Sequence, residues 1–336
     1  MIENLLFSLN ATMPVFLMML LGFLLHQIGW IDDAFASKMN KFVFRLPLPA
    51  LVFSQLATTD FVSTWDTKFV LFCFFVTLFS IFIVTILSYL IIRPTNKNPQ
   101  GSISYNGTGG NASAHRGEFI QAAYRSSAAL LGIAYIQNIY GDATMSALMI
   151  LGAVPLYNIM AVVVLTMTEN NYIPGNDTHS AIKKTIYGIF TNPIIIGIFL
   201  GFLWSLLKIP MPPIADKFIS NLGGIAAPLG LIAMGASVKV QKIKGQLAPS
   251  LVASFMKLFG LCALFLPLAV HMGFRDQKLV AILIMLGSAT TVSSFVMAKS
   301  MGHDGTLTSN TVIITTLLSA FSLTFWLFVA RSGGWI

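Results

Sequence analysis

Repeated long apolar runs constrain this chain more than any other feature of its sequence. One of them, residues 69–92, reads FVLFCFFVTLFSIFIVTILSYLII and contains no charged side chain. A helix needs roughly 20 predominantly apolar residues to cross the hydrocarbon of a bilayer. Ten segments of that kind can be read: 5–28, 34–57, 68–92, 118–140, 144–167, 184–207, 213–238, 247–271, 277–299 and 306–330, the second and seventh being the weakest. Of the 336 residues, 56% are apolar and only 10% are charged, too few charges to cover a water-soluble protein of this length. The expected class is an all-α polytopic membrane protein, and a soluble enzyme is excluded.

The net charge of +8 points to topology rather than to nucleic acid, because the basic residues are scattered along the loops and form no stripe. Eleven fall after odd-numbered spans (Lys38, Lys41, Arg93, Lys97, Arg116, Lys183, Lys184, Lys239, Lys242, Lys244 and Lys299) and six on the other side. Positive-inside bias puts the eleven in the cytoplasm and both termini outside it, periplasmic in a bacterial inner membrane. The opening MIENLLF lacks the basic stretch of a secretory signal, so the first span is expected to be a permanent helix. The longest connection, 93–117, is rich in Gly, Ser and Asn and reads as a solvated loop. The sequons at Asn10, Asn106, Asn111 and Asn176 fall in cytoplasmic loops or in a span and are not read as glycosylated. Cys73 and Cys262 sit in apolar runs and read as packing residues.

Short internal matches divide the chain into two halves of five spans. LPLPALVFSQLA in the second span places Pro47 and Pro49 before a small-residue helix, as IAAPLGLIAMGAS places Pro228 in the seventh. YGDATMS resembles GHDGTLT, matching Asp142 with Asp304. One insertion, in the 93–117 loop, reconciles the two spacings. Five being odd, the halves enter the membrane in opposite senses, which is the inverted-repeat plan of secondary transporters. The expected boundaries are 1–168 for the first repeat, 169–183 for a cytoplasmic linker and 184–336 for the second repeat. The same register sets RSSAALLG (fourth span) opposite GSATTVSS (ninth), both runs of small and hydroxyl residues. Either these mark unwound helix, whose half-helix N-termini would attract an anion, or they line tight helix contacts.

Three cations fall inside spans: Arg45, Arg125 and Lys257. An intramembrane charge is expensive and reads by default as functional, with snorkelling to the interface as the alternative. Arg125 adjoins the hydroxyl run and is assigned to a site; Lys257 is gating, coupling or structural; Arg45 is structural. All twelve acids lie at span ends or in loops, Glu118 being closest to a pathway, so cation antiport on buried acid dyads is disfavoured and an anion preferred. The five histidines show no metal-ligand spacing, and no nucleophile motif is present. No cofactor or metal is expected. Asn158, an amide in the fifth span, must bond a neighbouring helix or a cargo, whereas Asn192 before Pro193 reads as a helix cap. Ser54 and Gln55 follow the proline pair as weaker pathway candidates.

Taken together, LPLPALVFSQLA, RGEFIQAAYRSSAALLGIAYIQNIYG, the YNI of the fifth span, NPIIIGIFLGFLWSLLKIPMPP, AAPLGLIAMGAS and SSFVMAKSMGHDGTLTSNTVIITTLLS resemble the auxin efflux carrier family, which includes plant PIN carriers and bacterial malate or malonate permease-like proteins. Lys257, ahead of the GFR at Arg275, resembles the basic residue that precedes a GLR motif in plant members. The resemblance implies ten helices in an inverted repeat similar to NhaA and bile-acid symporters, with the fourth and ninth broken and crossing. It implies a scaffold of helices 1, 2, 6 and 7, and a transport domain of helices 3–5 and 8–10 that moves as an elevator. It also implies a small carboxylate as cargo and a homodimer. The crossing residues depart from the family pattern: Ser127 stands where relatives often carry Asn, and Ala289, Thr290, Thr291, Val292 and Ser293 replace a Pro-Thr-Ala-x-Asn pattern.

The leading expectation is a carrier that holds a carboxylate with Arg125, Ser126, Ser127, Asn158, Ser288, Thr290, Thr291 and Ser293, with Lys257, Pro49 and Pro228 in gating or coupling. Coupling to protons or sodium is left open. A sodium-coupled symporter of the bile-acid type, a receptor that binds without flux and an intramembrane enzyme are the alternatives.

Overall fold

A computed structural model of the chain describes residues 17–58, 66–92, 112–128, 144–168, 190–237 and 240–336, with positions 14, 96–97, 103–104, 135–136, 139–140 and 187. The four sequons, Asp142, the 169–183 linker, Lys183, Lys184, Lys239 and most of 5–16 lie outside the described residues.

The architecture is helical, with one two-residue antiparallel ladder, Asn96–Lys97 against Ile103–Ser104. The helices are α1 (Leu17–Gln27), α2 (Asp33–Arg45), α3 (Pro47–Ala57), α4 (Thr67–Ile91), α5 (Ala112–Tyr124), α6 (Thr144–Met167) and α7 (Pro193–Leu206). They continue as α8 (Pro213–Gly224), α9 (Ala226–Ala236), α10 (Val240–Phe255), α11 (Leu261–His271), α12 (Asp276–Gly287), α13 (Val292–Ser300) and α14 (Thr306–Ser332). Among the described residues, five helical stretches are long and apolar enough to cross a membrane: Thr67–Ile91, Leu148–Met167, Pro213–Ala236, Gln246–His271 and Thr306–Ser332. Phe75, Phe79, Phe82, Tyr89 and Leu90 of α4 and Phe321, Phe325 and Phe328 of α14 are exposed, the outward apolar surface that lipid covers.

Local chemistry sets the helix ends. Asp32 and Asp66 accept from Phe35 and Phe69 N–H at 2.6 and 3.0 Å, starting α2 and α4. Asn192 caps α7 through Ile194 N–H at 2.9 Å, with Pro193 at the first helical position, as its sequence context predicts. The second span is two helices rather than one, interrupted at Leu46 (φ −126°, ψ −64°), and the seventh is interrupted at Ile225. Each interruption lies three residues before the matched proline, Pro49 or Pro228, which therefore sits in a first turn, where a missing N–H costs nothing.

The fourth span begins earlier than its composition suggests. Residues 112–117, read as loop, are helical, and their polar groups find partners at the end of α4: Arg116 Nε donates to Ile92 O at 3.1 Å and its guanidinium lies 4.5 Å from the Tyr89 ring.

Two large apolar cores and a small third one, between α2 and α9, organise the packing. One joins α4, α5, α6, α11, α12 and α14 through residues such as Phe69, Cys73, Tyr124, Met149, Cys262, Ile282 and Leu323, and both cysteines are free and buried in it. The other joins α1, α2, α3, α7 and α9 with Ala161, Val162 and Leu165 of α6, Phe295 to Ala298 of α13 and Val312 of α14. Inside the second, α7 packs backbone to backbone on α3. A Cβ on Gly197 or Gly201 would stand 2.7 or 2.8 Å from the carbonyl oxygen of Pro49 or Phe53, so only glycine permits the approach.

Candidate functional site

Two helices of the first core stop and restart at its centre. Helix α5 ends at Tyr124, Arg125 to Ser127 are extended or irregular, and helical geometry resumes at Ala128; α12 ends at Gly287, and Ser288 to Thr291 lead into α13. The unwound segments meet as a short antiparallel bridge, Ser126 opposite Thr290, with Ser127 N–H donating to Ala289 O at 2.9 Å. Of the two readings of these small-residue runs, unwound helix is the one observed.

A helix that ends inside a membrane protein leaves carbonyls without intrahelical donors, and each needs a partner. Here the partners are reciprocal. Ser126 Oγ donates to Met285 O in the last turn of α12, and Thr290 Oγ1 donates to Ala122 O in the last turn of α5 at 2.8 Å. Tyr157 Oη also donates to Met285 O, at 3.0 Å. Lys257, fully buried on a π turn (Met256–Gly260), donates Nζ to Leu286 O, so a cation meets the negative end of the α12 dipole. Thr290 N–H, freed by the break, donates to Thr315 Oγ1 of α14 at 3.0 Å. Ser126, Thr290 and Lys257 thus hold the crossing together.

Arg125 is used differently. It is 2% exposed, and among the described residues no carboxylate pairs with it. One Nη lies 2.8 Å from Asn158 Oδ1 and 3.0 Å from Ser293 Oγ, the other 2.9 Å from the Met297 sulfur, and Nε is buried without a partner. Ser293 Oγ is 3.1 Å from Thr291 Oγ1, and both belong to the first turn of α13, which no side chain caps. Asn158 is held by its Nδ2 bond to Val154 O at 3.0 Å. The candidate site is therefore Arg125, Asn158, Thr291 and Ser293 at a helix N-terminus, a place of positive potential. Ser288 Oγ is buried without a partner beside it in sequence, and Ser127 is half-buried.

The remaining candidates sit elsewhere. Pro49 and Pro228 are in the second core's helices, and Arg45 is exposed at the C-terminal end of α2, where a cation complements the dipole. Glu118 accepts from Gly305 N–H at 2.9 Å and Thr308 N–H at 3.1 Å, capping α14 from another helix. Gly305 has φ +76°, and a Cβ there would come within 3.0 Å of the Phe295 ring. Sequence reading missed Gln121, whose Nε2 donates to Ser294 O at 2.9 Å, and Met297 against Arg125; spacing links neither to the crossing. Among the described residues no group of His, Cys, Asp or Glu is arranged to hold a metal.

A family described as "Membrane transport protein" matches residues 7–327. The chain is 21% identical over 324 residues to an "Uncharacterized transporter" of Methanothermobacter thermautotrophicus, covering 95% of this chain and 97% of that one. It is 29% identical over 149 residues to a "Putative malonate transporter" of Rhizobium meliloti, covering 42% and 45% respectively. The solved structure of the sodium proton antiporter MjNhaP1 from Methanocaldococcus jannaschii superposes with a TM-score of 0.60 at 13% identity, over 95% of this chain and 97% of that chain, a likeness of fold.

Proposed function

Because the chain belongs to the membrane transport protein family and is a multi-pass membrane transporter rather than an enzyme, we propose that it carries a small mono- or dicarboxylate, bound where the two broken helices cross. The observation that carries this reading is Arg125: a buried guanidinium with no carboxylate partner among the described residues, an idle Nε, and the uncapped first turn of α13 beside it. Leaving such a charge unanswered is costly, and a carboxylate answers it with bidentate geometry. Thr291, Ser293 and Asn158 add neutral donors that orient the cargo, with Ser127 and Ser288 within the same breaks. The name of the Rhizobium meliloti relative is in keeping with a dicarboxylate.

The mechanism we infer is alternating access by an elevator. The first core corresponds to helices 3–5 and 8–10 of the ten-helix reading, and the second to helices 1, 2, 6 and 7 with parts of α6, α13 and α14 packed against them; this arrangement supports a mobile domain seated against a scaffold. Interruptions three residues before Pro49 and Pro228, and reciprocal caps at the crossing, support two inverted repeats, 1–168 and 184–336. The lysine-rich loops face the cytoplasm, both termini the periplasm, in a bacterial inner membrane.

Uptake of radiolabelled malate, malonate, lactate, pyruvate and indole-3-acetate into proteoliposomes, with and without proton and sodium gradients, tests the reading. Saturable flux that Arg125→Ala abolishes is expected, and the gradients identify coupling. Folded protein that moves none of these acids would overturn it, and binding without flux would favour a receptor.

A further inference from the structure

Away from the crossing, a polar cavity of about 280 Å³ lies between α2, the end of α9 and the α13–α14 turn. Lys41 and Lys299 both line it, together with the hydroxyl-bearing Ser37, Ser237 and Ser300. Its one acid, Asp33, is 3.4 Å from His26 Nε2. Asn40 also lines it, 2% exposed, with neither its amide nitrogen nor its amide oxygen hydrogen-bonded. An orphaned buried amide costs about 1–3 kcal/mol per unsatisfied group, so a side chain held that way at the edge of a cavity calls for a polar occupant. At the rim, the His303 ring nitrogens lie 3.2 and 3.0 Å from the Ala114 and Leu165 carbonyl oxygens.

We propose that this cavity is a second anion site, distinct from the crossing, which takes a small oxyanion of the carboxylate or phosphate class. Lys41 and Lys299 supply the charge, and the unpaired Asn40 amide in the wall supplies a neutral donor. The walls come from α2 and α9 on one side and from the end of α13 and the following turn on the other. The inference does not depend on the cargo proposed above, because the site shares no residue with the crossing.

The test uses the full chain carrying Arg125→Ala, which removes the crossing site, in nanodiscs of phosphatidylcholine, with inorganic phosphate and then malonate titrated by calorimetry. Saturable binding is expected. Lys41→Gln or Lys299→Gln should each weaken it about tenfold or more, Asn40→Leu by a comparable factor, and Lys299→Arg should retain it. Nanodiscs containing phosphatidylglycerol separate the two sources of such an anion: competition with phosphate identifies a lipid headgroup as the occupant, and unchanged binding a soluble anion. Absence of saturable binding, or binding indifferent to both lysine substitutions in protein whose thermal unfolding is unchanged, would overturn the proposal and leave a water-filled vestibule.

Discussion

Arg125 and Lys257 are 2% and 0% exposed, and among the described residues neither has a carboxylate partner, yet their surroundings answer the two charges in different ways. Lys257 Nζ meets the Leu286 carbonyl at the negative end of α12, and the π turn that displaces it from regular helix aims it there. Arg125 meets only an amide oxygen, a hydroxyl and a thioether, with Nε unmatched. A helix dipole is a permanent partner; neutral groups hold a guanidinium in place without neutralising it. The difference separates a cation that belongs to the framework from one that awaits an anion.

The largest effect that can break this contrast is on transport. Arg125→Ala should lower carboxylate uptake by about 100-fold or more, the consequence of removing a desolvated charge from its anion, while the unfolding midpoint in detergent stays close to wild type. Arg125→Lys should recover part of the flux, since a point charge replaces a bidentate fork. Uptake undiminished in Arg125→Ala would make the two cations equivalent and remove the contrast.

Next in size is the stability of the crossing. Ala122 O has Thr290 Oγ1 as its side-chain partner there, whereas Met285 O is shared by Ser126 and Tyr157. Thr290→Ala should therefore cost about 1–3 kcal/mol, and Ser126→Ala less. Combining Ser126→Ala with Tyr157→Phe should cost more than the two singles together, because only the pair strands the carbonyl. Unfolding of the four variants checks the order. Equal losses for Ser126 and Thr290 would mean that Tyr157 does not share the capping of Met285 O.

A smaller expectation concerns Lys257 itself. Lys257→Met removes both a buried charge and the donor to Leu286 O, terms of opposite sign, so stability should move little. Carboxylate affinity, measured by calorimetry, should stay within about twofold of wild type. A loss as large as that of Arg125→Ala would move Lys257 into the binding site.

How much of this was legible beforehand varies with the range of the interaction. Hydrophobic runs fix α6 at Thr144–Met167 and α14 from Thr306, because lipid-facing length is a local property. The small-residue strings around Ser126 and Thr290 allowed either broken helices or tight contacts, and Arg125 and Asn158 stood out as candidate site residues because they are polar within apolar spans. What strings cannot encode is which hydroxyl is committed: Ser126 and Ser293 look alike in sequence, but one caps a carbonyl 159 positions away and the other accepts from Arg125. The π turn at Lys257 leaves no trace in apolar periodicity, and residues 112–117 looked like loop because their polar partners come from distant segments. The breaks at Leu46 and Ile225 were hidden for another reason. The prolines nearby are compatible with a first turn, and the residue that breaks the helix is an ordinary Leu or Ile.

The mildest test contrasts the buried cations with one at the edge of the bundle. Lys278 Nζ lies 2.5 Å from Asp66 Oδ2, both partly exposed, while Asp66 Oδ1 accepts from Phe69 N–H at 3.0 Å and caps α4. The hydrogen bond from Lys278 is the main reason that the Asp66 carboxyl lies below the usual carboxylate range, burial opposing it and the Phe69 N–H reinforcing it. A depressed folded-state pKa means that stabilisation is complete above the unfolded value, about pH 4, and is lost as pH falls through the folded one. Solvent screening limits the pair to about 0–1 kcal/mol, and the cap adds about 1 kcal/mol. Lys278→Ala should therefore lower stability slightly at neutral pH, Asp66→Ala more, and the double variant no more than Asp66→Ala, the differences shrinking below about pH 4 as the carboxyl protonates. Asp66→Asn keeps the cap and loses the pair, so it should match Lys278→Ala. If it matches Asp66→Ala instead, the ion pair rather than the cap holds this end of α4, and an exposed pair outweighs what its screening allows.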